Sequence, residues 1–190
     1  MANKVTFGLK NVHVAFITNE ATPTWDTPDA IPGAVNLSLT AEGESSNFYA
    51  DDIAYYTTQS NNGYTGDLEC ALIPDTVLAE MLGWEVDDNG ALVEIADGEA
   101  VPFALLFEVQ GNEADKRYAF YKCVASRPGV DASTKGETTD PKTQTLSLTI
   151  TPLTIDSELI VKSAITYSVA NASVYNAWYT AVTAPTFSVS

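Results

Sequence analysis

Residues 143–151 read TQTLSLTIT, and residues 34–40 read AVNLSLT. In the first run Leu146, Leu148 and Ile150 alternate with Thr145, Ser147 and Thr149; in the second Val35, Leu37 and Leu39 alternate with Asn36 and Ser38. A period of two places the apolar residues on one face of an extended strand and the polar ones on the other. Strands of this kind need a sheet with one covered face and one solvated face, which is the habit of antiparallel sheets. Other runs follow the pattern less strictly. Residues 4–17 alternate imperfectly and read as a strand or a strand-like arm. Residues 67–73 put Leu68, Cys70 and Leu72 on one face, and residues 117–126 alternate Tyr118, Phe120 and Lys122 with Ala119, Tyr121 and Cys123. Residues 103–109 are almost continuously apolar, which suggests a strand buried on both faces or lying at an interface. Residues 159–165 read as a further strand.

Between these runs lie short connections. Residues 19–32 carry three prolines and read as a loop, and residues 127–141 form a second one of low hydrophobicity. Asn89-Gly90 marks a tight hairpin turn between 84–86 and 91–95, with another turn at Asp97-Gly98. One helix is signalled at about 75–83. Asp75 is placed to cap its start and Gly83 to end it, with Val77, Leu78, Met81 and Leu82 forming an apolar stripe. Residues 172–182 have weaker helical spacing at Val174, Trp178 and Ala181. The sum is a mainly β chain: an antiparallel β-sandwich or partly closed barrel with one flanking helix. Its 190 residues suit a single domain, with an N-terminal arm over about 1–17 and a C-terminal arm over about 183–190. No repeat is visible.

Residues 42–66, EGESSNFYADDIAYYTTQSNNGYTG, do not fit the strand pattern. They are polar and acidic, yet carry Phe48, Tyr49, Tyr55, Tyr56 and Tyr64. A long insertion in a compact domain usually has a job, and ordinary linkers are poor in aromatics. Tyrosine suits contact surfaces because its ring buries while its hydroxyl remains satisfied. The segment is therefore read as a long loop that orders against another subunit. Its candidate contact residues are Glu44, Phe48, Tyr49, Asp51, Asp52, Tyr55, Tyr56 and Tyr64. The competing reading is a surface hairpin with partly buried tyrosines.

Twenty-five acids face nine Lys and Arg, for a formal net charge of −16. That balance argues against an adhesive nucleic-acid binder, which needs a basic patch, and against docking on an anionic membrane. It suits a soluble protein, or one that lets a polyanion pass without gripping it. The N-terminal residues show no long apolar core and no small-residue cleavage site, so no signal peptide is expected, and no apolar run approaches the ~18 residues of a membrane span. Cys70 and Cys123 lie in strand-like runs and read as buried reduced thiols.

Sites of chemistry are hard to find. His13 is the sole histidine and reads as structural. There is no G-x-S-x-G elbow, no phosphate loop and no dinucleotide fingerprint. The stretch from Asp87 to Gly90 resembles the start of a calcium loop, but the twelfth position is Gly98 rather than a closing glutamate, so it reads as a turn. The pairs Asp51-Asp52 and Glu42/Glu44 have the composition of a glycosidase dyad, although in so acidic a chain such pairs arise by abundance. Trp25, Trp84 and Trp178 could stack on sugars, but tryptophans of this kind more often pack a core or an interface. No cofactor or metal is expected, and no enzyme.

The runs VTFGLKNVHVAF, IPGAVNLSLTAEGESSNFYADD and NNGYTGDLECALIPD, continuing through NGALVE, VPFALLFEVQG and KRYAFYKCVASRP, resemble the major tail protein of long-tailed bacteriophages, in the group often called the phi13 family. The likeness lies in the order and spacing of these runs and is weakest after about residue 157. It implies a tail-tube fold and a virion protein whose hexameric rings stack into a tube. It also implies partners: further copies of itself, a tape measure protein inside the tube, a terminator and a baseplate at its ends, and DNA passing through without specific binding. Assembly would take place in the host cytoplasm, and the long loop would reach a neighbouring subunit or ring. Carboxylates on the polar faces of the inner strands would line the channel. Two alternatives stand beside this: another ring-forming tail component such as a terminator or baseplate hub, and a carbohydrate-binding β-sandwich.

Overall fold

A computed structural model describes residues 3–50, 52–130, 132, 134 and 142–187; at Phe48, Ala50 and Ala54 the description covers the backbone. The elements run β1 (Thr6–Asn19), β2 (Thr24–Trp25), β3 (Asp29–Ala30), β4 (Ala34–Glu42), β5 (Ser45–Ala50), β6 (Ile53–Gln59), β7 (Gly63–Cys70), α1 (Asp75–Leu82), β8 (Glu85–Val86), β9 (Leu92–Val93), β10 (Phe103–Gly111), β11 (Lys116–Ala125), β12 (Gln144–Ile150), β13 (Leu153–Ile155), β14 (Glu158–Ile160) and β15 (Lys162–Thr166). A 3-10 turn (Val169–Asn171) and the single-turn helix α2 (Ala172–Asn176) follow. The chain is thus mainly β, with antiparallel pairing throughout the described strands.

The main sheet has the order β2-β1-β10-β11-β12-β7-β4. It forks at β11, where Lys116–Phe120 pair with β15 and Cys123–Ala125 pair with β12. The sheet curls until β4 lies beside β1, but these two strands do not pair, so no barrel closes. Inside the curl lies the larger core, with Val12, Val14, Phe16, Leu68, Cys70, Phe103, Leu105, Phe120, Leu146, Leu148 and Ile150 all buried. Helix α1 closes one end through Val77, Leu78, Met81 and Leu82. A second core lies on the opposite face of β1, β10 and β11, where Ala15, Leu106, Ala119 and Tyr121 meet Leu153, Ile155 and Trp178. Strand β10 is therefore buried on both faces within one chain, which accounts for its unbroken apolar run.

The imperfect alternation of the first run has a local cause. The register between β1 and β10 slips twice, between Thr6 and Leu9 and between Lys10 and His13, and Asn11 takes a left-handed φ of 54°. Each extra residue flips the parity of the strand and adds twist, so Leu9 and Val12 both face the larger core. The stretch expected as an N-terminal arm is instead paired within the sheet. A slip in β11 likewise turns Cys123 and Ala125 toward the larger core, away from Tyr121.

Other expectations need correction. The residues 42–66 are not a loop: β5 and β6 form a hairpin and β7 begins at Gly63. Strand β7 ends at Cys70, so Leu72 leaves the buried face and is 65% exposed. Asp75 does not cap α1; Pro74 holds the capping position, and Asp75 sits in the first turn, where its charge favours the helix dipole. Gly83 ends the helix in a left-handed conformation as expected. Helical structure over 172–182 stops at Asn176. The run at 159–165 is split between β14 and β15. The expected C-terminal arm packs in part: Ala184 lies against the second core, and the Thr183 carbonyl accepts from the Tyr121 hydroxyl at 3.0 Å. Cys70 and Cys123 are buried free thiols.

Candidate functional site

The hairpin β5–β6 continues the β4–β7 ribbon. Pairing runs from Ala34↔Cys70 to Glu42↔Gly63, passes through Asn62 N–H to the Glu42 carbonyl and Ser60 N–H to the Glu44 carbonyl (both 2.9 Å), and resumes at Ser45↔Gln59. The Ser60 hydroxyl also accepts from the Glu44 N–H at 2.9 Å. Six residues of strand extend ~20 Å, so the hairpin projects well beyond the sheet that carries it. Asp52 turns the tip with a φ of 63°.

Among the described residues, nothing covers this projection. Tyr49, Ile53, Tyr55 and Tyr56 are 64%, 62%, 72% and 62% exposed. The register slips between the Phe48↔Tyr56 and Tyr49↔Ala54 pairs and leaves Tyr55 as an unpaired bulge residue. Tyr49, paired with Ala54, faces opposite to Tyr56 and Ile53, so both faces of the hairpin display large apolar side chains. Glu44 pins the base through its backbone and exposes its side chain. Asp51 and the Phe48 side chain lie outside the described residues. The tyrosines here are not the partly buried ones of a hairpin lying against its own domain.

Tyr64 belongs elsewhere. Its ring meets Phe120 edge-on at 5.3 Å, and the Lys162 ammonium lies 4.6 Å above it. It lines a groove of about 550 Å³ along the seam between β1 and β4, with Phe7, Leu9, Val35, Leu37, Phe107 and Tyr118. The groove exists because these strands do not pair.

The outward face of β4, β7 and β12 is polar. Asn36 and Thr145 flank Glu69, and Ser38 and Ser147 flank Asp67. Ser147 donates to Asp67 at 2.8 Å, Thr143 to Glu69 at 2.6 Å and Thr65 to Glu42 at 2.6 Å. None of these three strands contains Lys or Arg: β4 and β7 lie in the stretch between Lys10 and Lys116, which has none, and β12 lies between Lys142 and Lys162. The first of these gaps, over a hundred residues long, is the sequence signal for the β4–β7 part of this face.

One carboxylate, Glu108, is buried at the centre of a cluster of partly exposed ionisable groups, and sequence reasoning passed over it. Glu108, 2% exposed, accepts from Arg117 Nε at 2.6 Å and pairs with Lys10 Nζ at 3.0 Å. Lys10 also binds Asp115 at 2.7 Å. The hydrogen bond from Lys10 holds the Asp115 carboxyl below its ordinary range, and Asp115 and Glu108 hold the ammonium above its own. The Arg117 guanidinium stacks 3.9 Å from the Tyr175 ring centroid and donates to the Tyr175 carbonyl. The charges compensate one another, and the arrangement fastens α2 to the sheet rather than exposing a reactive group. A carboxylate in the middle of FALLFEVQG was its signal.

The remaining candidates for chemistry resolve into structure. The His13 ring stacks on Tyr179 at 4.6 Å. Burial pushes the Cys70 thiol up to about 11 and raises Cys123 as well. Asp87 closes its turn by accepting from the N–H groups of Asn89 and Ala91. Trp25 and Trp178 donate to the carbonyls of Tyr121 and Tyr118, and Trp84 packs against the larger core. Among the described residues no three His, Cys, Asp or Glu side chains converge as metal ligands, and no helix is long and apolar enough to cross a membrane. No protein-family model matches the chain, and no curated protein matches it.

Proposed function

We propose that the chain is a structural subunit that assembles with copies of itself into stacked hexameric rings, as the tube protein of a long-tailed phage virion. The observation that carries the reading is the projecting β5–β6 hairpin, with Tyr55 largely exposed and Tyr49 and Tyr56 largely exposed on opposite faces. Large apolar side chains displayed on both faces of a projection gain stability only when a partner covers them. The resemblance to major tail proteins supplies the partner, another subunit, and the remaining assignments: a tape measure protein within the tube, a terminator and a baseplate at its ends, and DNA in transit.

The charge supports the same reading. In it, the outward face of β4, β7 and β12 faces the channel and presents Glu42, Asp67 and Glu69 to the passing phosphates. Like charges keep a polyanion from adhering, and a lined channel focuses that field. A tube subunit needs no catalytic group, and in this reading the protein is not an enzyme.

The test separates assembly from folding. Tyr55→Ser together with Tyr56→Ser should abolish large species in sedimentation velocity while leaving the melting temperature of the monomer within a degree or two, because neither ring is packed in the single chain. A wild-type chain that stays monomeric at every concentration would sink the reading.

A further inference from the structure

The groove between β1 and β4 and the hairpin β5–β6 are complementary in three respects. The first is backbone. The N-terminal half of β1 pairs with β10 on one side only, and β4 pairs with β7 on one side only, so two free strand edges border the groove. Such edges are templates for another strand. The second is surface character. Phe7 and Val35 at the groove are 61% and 55% exposed beside Leu37, Tyr64 and Tyr118, which matches the exposed rings of the hairpin. The third is charge. Lys162 lies over Tyr64 at 4.6 Å and Lys116 over Tyr118 at 5.3 Å, and among the described residues neither meets a carboxylate. The ribbon segment 42–59 carries acids at 42, 44, 51 and 52 and no cation.

The hairpin cannot fill the groove of its own chain. It extends from the Glu42 end of β4, whereas Val35 lies at the opposite end, in the bulge between the Ala34↔Cys70 and Asn36↔Glu69 pairs. We infer that the groove receives the β5–β6 hairpin of a second copy, with the rings of that hairpin on Phe7 and Val35 and its carboxylates toward Lys162 and Lys116. Donor and acceptor are different surfaces, so the contact is head-to-tail and propagates from copy to copy, closing into a ring or running on as a fibre. The inference rests on the self-assembly reading and names the acceptor within it.

Cross-linking between two differently tagged copies tests it. One copy carries Tyr55→Cys and the other Val35→Cys, and a short flexible bismaleimide joins thiols that come together. The native cysteines are fully buried with raised thiol pKa values, and so stay unreactive. Linked pairs should form in the mixture, and about tenfold fewer when Val35→Cys is replaced by Val130→Cys, a position 97% exposed and away from the groove. Lys162→Glu should raise the concentration needed for assembly about tenfold, as expected for losing ~1.4 kcal/mol at a contact, while Lys162→Arg should leave it nearly unchanged. Assembly with no Tyr55–Val35 link above the Val130 control would overturn the groove and leave the assembly reading intact. Monomers at every concentration would overturn both.

Discussion

Glu108 places a charge at the centre of an apolar strand and survives there because Arg117 and Lys10 meet it. Removing one partner of such a buried group leaves the others uncompensated, at a cost of about 3–5 kcal/mol. Glu108→Ala should lower the unfolding free energy by that much in urea titrations; a loss under about 1 kcal/mol would show that the site is solvated. Asp115 gives the cluster a pH dependence. Its folded pKa lies below the ordinary aspartate value of about 3.9. The stability it contributes is therefore fully present above that value and is lost as pH falls through the folded one. Asp115→Asn should be less stable than wild type at neutral pH, and the two should converge below about pH 4; parallel curves down to acid pH would contradict the ion pair. Periodicity did not reveal this cluster, because it groups residues by hydropathy and treats one carboxylate in an apolar run as noise. The pairing of Glu108 with Arg117 depends on the β10–β11 register, which no local pattern encodes. Gly66 is similar: a Cβ there would meet the Ser38 carbonyl oxygen at 1.8 Å, a close approach set by β4 across the ladder.

At the scale of elements, legibility followed the solvent. β12 carries its alternation intact because one face is buried and the other wet, and its three apolar residues are in the core. The β8–β9 hairpin was readable from Asn89-Gly90, and α1 from its stripe and Gly83. β1 was blurred by its two bulges. The β5–β6 hairpin escaped because its two faces are alike: exposed tyrosines on both leave no alternation, and its tip lacks an Asn-Gly signal. Its ladder is short and open to water, and hydrogen bonds of that kind open at little free-energy cost. In the isolated subunit, hydrogen exchange at Ser45–Gln59 should be fast beside that of β10 and β11, and it should slow markedly on assembly. Equal protection in the two states would count against a role for the hairpin in contacts between copies.

At the scale of the whole molecule, a sheet that curls without closing leaves two free edges, a groove between them, and a ribbon that runs past the fold. A polar face bearing Glu42, Asp67 and Glu69 lies along the same ribbon. In the proposed assembly the hairpin is the donor, the β1–β4 groove the acceptor and this acid-bearing face the wall of the channel. Composition makes the acid excess plain; that Glu42, Asp67 and Glu69 share one face follows only from the strand order that puts β4, β7 and β12 side by side. Negative-stain electron microscopy of the concentrated full chain tests the central claim most directly. The account predicts six-fold rings or stacked tubes with a stain-filled central channel, lost in the Tyr55→Ser, Tyr56→Ser double variant. A uniform field of single globular particles at every concentration would contradict it.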